Sequence, residues 1–292
     1  MKWCISLLAV LFTAVLAASD VLEDFQKAHA LYKQRKYLEA SNVFSQLAKK
    51  TTGMQKEQAQ FYQSLSLGRA KKLSEALQVA DIISTETLKN RARMEAYDEN
   101  RKFNEIVREF AKAKIDSWPE EYRSRGHFLL GKALGFTSQY EAAMTELEKA
   151  VNTAGDNLYQ KMEALGYISL LAMNRNDQAK VLDAAERAMI PELEKKFGRS
   201  AVYLRPVMNK TSVLIAGKKL DEARQLLDKL NRIMGGRWHP GYWNCYYHTL
   251  LGDLEFASGE TDKAKNAYLA AFETFPKSPM GMAAREKYNA IK

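Results

Sequence analysis

The sequence predicts an all-α fold: an α-α superhelix of about seven helical hairpins closed by a capping helix. Three observations carry this. Apolar residues recur at three- and four-residue spacing along the chain after residue 20, as in Phe25, Ala28, Leu31 and Tyr32, or Ala142, Met144, Leu147, Ala150 and Val151. Strand punctuation is scarce, with only 15 Gly and 6 Pro in 292 residues. A short signature also returns at a period that holds two helices: an apolar residue, an acidic or polar residue, then a small residue.

The elements follow in order. Residues 1–18 read as a signal peptide. Met1-Lys2-Trp3-Cys4 carries one positive charge, Ile5 to Leu16 is apolar apart from Ser6 and Thr13, and Ala17-Ala18 supplies small residues for cleavage. The apolar run is shorter than the ~20 residues that span a bilayer. Cys4 precedes that run, so no lipid anchor is expected. Cleavage would remove Lys2 alone among the charged residues, lowering the formal charge from +9 to +8 and leaving Cys245 as the single thiol, unable to form an internal disulfide. No transmembrane segment is expected afterwards.

Residues 19–292 read as one solenoid. Its second helices are announced by Tyr37-Leu38-Glu39-Ala40, Leu73-Ser74-Glu75-Ala76, Phe103-Asn104-Glu105-Ile106, Tyr140-Glu141-Ala142-Ala143, Asn176-Asp177-Gln178-Ala179, Leu220-Asp221-Glu222-Ala223 and Thr261-Asp262-Lys263-Ala264. The final residues, 40, 76, 106, 143, 179, 223 and 264, lie 36, 30, 37, 36, 44 and 41 apart. Small residues recur because two helices of a hairpin approach most closely where neither carries a bulky side chain. Phe44, Phe110, Leu147, Leu227 and Tyr268, four residues later, fill the groove. Expected hinges are Trp118-Pro119, the stretch from Pro191 to Pro206, and residues 235–241. A break near 115–120 would divide the solenoid into two lobes. The longest spacing is expected to lengthen the helices around Ile190 to Phe197 by a turn or two. Ser278-Pro279 starts the capping helix, 279–291.

These residues resemble the tetratricopeptide repeat (TPR) family. The last repeat carries Leu251, Gly252, Gly259, Ala264, Tyr268, Ala271 and Pro276; the fourth carries Leu130, Gly131, Tyr140, Ala143, Leu147 and Ala150; the first carries Ala28, Tyr37, Ala40, Phe44 and Leu47. The third departs from the pattern at Ile106 and the sixth at Thr211. In the fifth, Gly166 and Ala179 stand one residue out of register. The run Phe272-Glu273-Thr274-Phe275-Pro276-Lys277-Ser278-Pro279, with Ala283-Ala284, is also similar to junctions in exported bacterial TPR proteins of envelope assembly and cell-division coordination.

The resemblance implies that the first helix of each repeat lines a concave groove for an extended peptide or helix. The residues it places there include His29, Tyr32, Lys33, Phe61, Arg69, Arg125, Phe128, Lys132, Phe136, Tyr167, Arg205, Tyr246, Asp253 and Phe256. Aromatics mixed with cations suit a protein or peptide ligand bearing acidic groups or a free carboxylate. The chaperone-tail clamp of the family is not carried over, because its Lys/Asn arrangement is missing.

Catalytic signals are thin. No H-E-x-x-H, G-x-S-x-G, P-loop or G-x-G-x-x-G occurs. Acid pairs such as Glu120/Glu121 and Glu192/Glu194 read as solvated faces. The four His are His29, His127, His239 and His248. Cys245 and His248 share a helical face with His239 nearby, a conceivable metal site, but no carboxylate completes it. No enzyme, cofactor or metal is therefore expected. The basic excess does not indicate nucleic acid, since cations alternate with acids at helical spacing and the leader directs export. The sequon Asn209-Lys210-Thr211 falls within a predicted helix. The expectation is an exported, periplasmic or secreted scaffold that binds other proteins in envelope assembly. The alternative is a cell-wall or glycan-binding module using Trp238, Tyr242, Trp243, Tyr246 and Tyr247. In that cluster Trp243 and Tyr247 read as core and Tyr246 as the exposed ring.

Overall fold

A turn with one repeated backbone geometry organises the chain. Arg35, Lys71, Arg101, Ser138, Asn176, Lys218 and Gly259 all have left-handed backbones, with φ between 55° and 81°. Each stands five residues before a buried position near the start of a second helix: Ala40, Ala76, Ile106, Ala143, Val181, Ala223 and Ala264, all 0% exposed. The left-handed residue reverses the chain and returns the next amide to an orphan carbonyl of the preceding helix, satisfying that helix end. Examples are Lys36 N–H to Leu31 O at 3.0 Å, Lys102 N–H to Tyr97 O at 2.9 Å and Asp177 N–H to Ala172 O at 2.9 Å.

The computed structural model describes residues 19–236 and 241–291, which form sixteen α-helices and, among the described residues, no strand. Residues 1–18, the expected signal peptide, lie outside the described residues, as do Arg237, Trp238, His239 and Pro240. The chain divides into two compact units, one ending at Thr137 and the other starting at Ser138.

The first unit holds α1 (Ser19–Lys33), α2 (Tyr37–Lys50), α3 (Gly53–Arg69), α4 (Leu73–Asp81), α5 (Glu86–Glu99), α6 (Phe103–Phe110) and α7 (Glu120–Phe136). They make three hairpins followed by the first helix of the fourth pair. The core of the first hairpin gathers Phe25, Ala28, Ala40, Phe44 and Leu47. The segment around 115–120 lies within this unit. It forms a 3₁₀ turn, Ile115–Ser117, with Ile115 and Trp118 buried. A Cβ on Gly126 of α7 would come within 2.7 Å of the Trp118 ring, so that helix docks closely on the indole.

The second unit holds α8 (Tyr140–Asn152), α9 (Leu158–Asn174), α10 (Gln178–Ala188), α11 (Pro191–Phe197), α12 (Ala201–Ala216), α13 (Leu220–Met234), α14 (Tyr242–Ala257), α15 (Thr261–Thr274) and α16 (Pro279–Ala290). Three hairpins, α9/α10, α12/α13 and α14/α15, lie whole within it, and α16 is the cap.

Two local expectations are corrected here. The long spacing around 190–206 is not taken up by longer helices. Pro191 opens the separate short helix α11, where a missing N–H costs nothing. Leu193 and Phe197 bury its underside, and Glu194 accepts from the Tyr203 hydroxyl at 2.8 Å while pairing with Lys229. Pro206 sits inside α12 and removes the amide that would have met Val202 O. The fifth repeat is also re-registered. Ala179 is exposed, and Val181 takes the buried position that the turn at Asn176 dictates. Its partner position, twelve residues earlier, is Ser169 rather than Gly166. The same position is Ala28, Ser64, Met94, Gly131, Thr211 and Gly252 in the other repeats, and every one is buried.

Candidate functional site

In the first unit, the first helices of successive hairpins carry the candidate groove residues. Tyr32 on α1 lies under Arg69 of α3, with Arg69 Cζ 5.7 Å from the ring centre. Arg69 Nε is 2.7 Å from Glu99 Oε1 of α5. Arg125 of α7 grips Glu95 of α5 through two bonds, Nε to Oε1 at 2.7 Å and Nη2 to Oε2 at 2.9 Å, and stacks over Phe128. Lys132 Nζ stands 2.8 Å from Asp98 Oδ1. Phe136, 56% exposed, stacks on Phe103 at 4.3 Å.

The acids of α5 were missed by sequence reasoning, which assigned the third repeat no groove residue. Arg91 and Glu95, four apart, and Asp98-Glu99 were the available signal, charges on one face of a helix whose neighbours present cations. Their effect is large. Glu95 is nearly inaccessible, and burial alone would raise its carboxyl; the guanidinium of Arg125, with Arg91 and Arg69 behind it, instead holds it down at about 2. Burial raises the Tyr32 hydroxyl well above its ordinary range, with Glu95 and Glu99 adding to the effect and Arg69 opposing it. Arg69, Arg125 and Lys132 are thus neutralised within the protein.

Several predicted site residues are not presented for binding. Phe61 and Phe128 are 3% and 2% exposed and belong to the core. His29 is edge-on to Tyr62 at 4.5 Å and to Phe44 at 5.3 Å, and burial, with Lys33 nearby, lowers its imidazole to about 4. Lys33 is exposed.

The second unit is built differently. Tyr167 of α9, Arg205 of α12 and Trp243 of α14 meet: Arg205 Cζ is 5.1 Å from the Tyr167 ring centre and 5.8 Å from that of Trp243. Tyr246 is half-buried rather than free, because its hydroxyl donates to Asn209 Oδ1 at 3.0 Å. Tyr242 is the exposed ring of the cluster, at 46%. Tyr247 is buried, as expected, and Trp238 lies outside the described residues. Tyr242 stands at 88° to Trp243 and at 58° to Tyr246, so these rings are not coplanar. Asp253 accepts from the Tyr268 hydroxyl at 2.7 Å and pairs with Lys287, and Phe256 is 57% exposed.

Cys245 is fully buried, and burial raises its thiol. Burial lowers the His248 imidazole. Among the described residues no three His, Cys, Asp or Glu side chains are grouped to hold a metal ion, and His239 lies outside them. Among the same residues no helix is long and apolar enough to cross a membrane.

Solved structures similar to this chain share its fold. A tetratricopeptide repeat protein from Parabacteroides merdae matches 92% of this chain and 97% of its own at TM-score 0.52 and 13% identity. The apo form of RapI matches 93% of this chain and 81% of its own at TM-score 0.70 and 11% identity. The C-terminal part of a TPR repeat-containing protein from Cytophaga hutchinsonii matches 89% and 98% at TM-score 0.50 and 12% identity. The chain has a TPR-like helical-repeat fold. No protein-family profile and no curated protein matches its sequence.

Proposed function

We propose that this chain is an exported, non-enzymatic scaffold that binds other proteins, holding an extended peptide or a helix against the first-helix faces of its hairpins during envelope assembly. The observation that carries this reading is the rigidity of those faces. In the first unit Tyr32, Arg69, Arg125 and Lys132 are locked by ion pairs and stacking before any ligand arrives. A preformed surface lowers the ordering cost of capturing a flexible chain. The likeness to TPR structures supports the fold on which it rests, and the apolar leader supports export. The paired cations shift the expected ligand chemistry. An acidic ligand gains little from Arg69, Arg125 or Lys132 unless it displaces an internal carboxylate, so attraction for acids concentrates where no internal acid stands.

The test is crosslinked capture from an envelope fraction with the wild type and with Tyr32→Glu and Phe256→Glu variants of unchanged melting temperature. A small set of proteins held in near-stoichiometric amounts by the wild type and lost by a variant is expected. No enrichment, or equal capture by every variant, overturns the scaffold. N-terminal sequencing of the exported product should start near Ser19; an intact Met1 would refute a cleaved leader.

A further inference from the structure

Among the groove cations that lie over aromatic rings, Arg205 stands apart. Arg69, Arg125 and Lys132 each face a carboxylate of α5. Arg205 has no ion pair and no hydrogen bond among the described residues, yet it is partly buried on α12 beside two aromatic rings. It packs beside Gly166 of α9, where a Cβ would lie at ordinary contact distance, 3.9 Å from Arg205 Cδ and 3.5 Å from Val202 O, the carbonyl that Pro206 leaves without its helical donor. The surrounding polar groups are spoken for. Tyr246 donates to Asn209 Oδ1, and Asn209 Nδ2 donates to Ser169 Oγ at 3.0 Å. This chain of bonds ties α14, α12 and α9 together and fixes the frame in which the guanidinium sits.

Rings over a guanidinium engage its π-face and leave its N–H edges to bind an anion in the plane. The fork geometry matches a carboxylate through two parallel bonds. The charge count favours the same ligand. One cation balances one carboxylate, whereas a phosphate dianion here would keep an unmatched charge in a partly desolvated site. Tyr242, exposed and 4.9 Å from Trp243, supplies apolar contact beside it.

We propose that Arg205, framed by Tyr167 and Trp243, is a carboxylate-binding site for an acidic peptide. The site rests on the scaffold reading and names its ligand chemistry. The carboxylate is either an Asp or Glu side chain or a free C terminus.

The full chain is titrated by fluorescence anisotropy with three labelled ten-residue peptides of otherwise equal sequence. One contains Glu and ends in an amide, one contains Gln and ends in a free carboxylate, and one contains Gln and ends in an amide. One of the first two should bind at least tenfold tighter than the third, and which one does so identifies the source of the carboxylate. Arg205→Gln should erase the preference, Arg205→Lys should weaken it about tenfold by losing the bidentate fork, and Arg125→Gln should keep it. Equal melting temperatures of the wild type and both Arg205 variants guard against misfolding. A preference that survives Arg205→Gln, or equal binding of all three peptides, overturns the site while leaving the scaffold standing. Binding of none also overturns it, and the envelope capture then decides the scaffold separately. Inorganic phosphate displacing the bound peptide better than acetate at equal concentration would overturn the assignment to a carboxylate.

Discussion

Gly252→Ala should destabilise the second unit even though it replaces a poor helix former with the best one. A Cβ on Gly252 would lie 2.5 Å from both Cδ1 and Cε1 of Tyr268 and 3.0 Å from Cγ. The ring has little freedom to retreat. It is 3% exposed, and its hydroxyl is anchored to Asp253 Oδ1 at 2.7 Å. Overpacking of this kind costs about 1–3 kcal/mol. The gain in helix propensity returns about 1 kcal/mol. Because the anchored ring cannot retreat, the upper half of the overpacking cost applies, about 2–3 kcal/mol, and the balance is a loss of about 1–2 kcal/mol, or roughly 2–8 °C in melting temperature for a unit of this size. Thermal denaturation followed by circular dichroism measures it. Tyr268→Phe, which cuts the anchor, should recover part of the loss in the double variant. A melting temperature that stays put or rises in Gly252→Ala would refute the close crossing of α14 and α15.

Gly166→Ala makes the opposite case, because its new Cβ would meet only ordinary contacts at 3.5 and 3.9 Å; it should raise stability by up to about 1 kcal/mol, measured by urea denaturation. Gly259 has φ 81° and open space around a Cβ, so Gly259→Val should cost about 1–2 kcal/mol from backbone strain alone and Gly259→Asn clearly less. Acid should weaken the first unit in two stages. His29 titrates near 4 in the folded chain against its ordinary 6.5, and Glu95 near 2 against 4.5. Both values are depressed by folding, so each contribution is complete above the ordinary value and is lost as pH falls toward the folded one. His29→Phe should flatten the stability profile between about pH 6.5 and 4, and Glu95→Gln between about 4.5 and 2, in melts taken across that range. Arg125→Ala, which leaves Glu95 buried with only the more distant Arg91 and Arg69, should cost about 3 kcal/mol at pH 7.

The helices and their pairing were legible because burial of one face imposes a 3.6-residue period on any sequence that folds this way. The register of the weak fifth repeat was not. Sequence reasoning looked for a small side chain and chose Ala179, whereas the crossing also accepts Ile106 and Val181, both fully buried. The true marker is the left-handed turn residue, and six of the seven are Arg, Lys, Ser or Asn, which carry no glycine signal. The groove was half legible for a related reason. Periodicity puts Arg125, Phe128 and Lys132 on one stripe, but only packing against α5 reveals that Phe128 lies inside and that the two cations are already matched by acids. Arg205 was found by its place on a first helix. Its isolation from carboxylates emerged only when the neighbouring helices were in position.

The uniform bend inside each pair has a consequence for how the molecule can be altered. From Ala28 to Ala40, Ser169 to Val181 and Gly252 to Ala264 the count is always twelve, while from one pair to the next it runs from 18, between Ala76 and Met94, to 30, between Val181 and Thr211. Length is conserved within the staple and elastic at the seam, and α11 is what one seam has already absorbed. Grafted loops or tags therefore belong between Ala188 and Pro191 or after Asn152, and a single residue added at Lys71 or Lys218 would throw every buried contact downstream in that hairpin out of step.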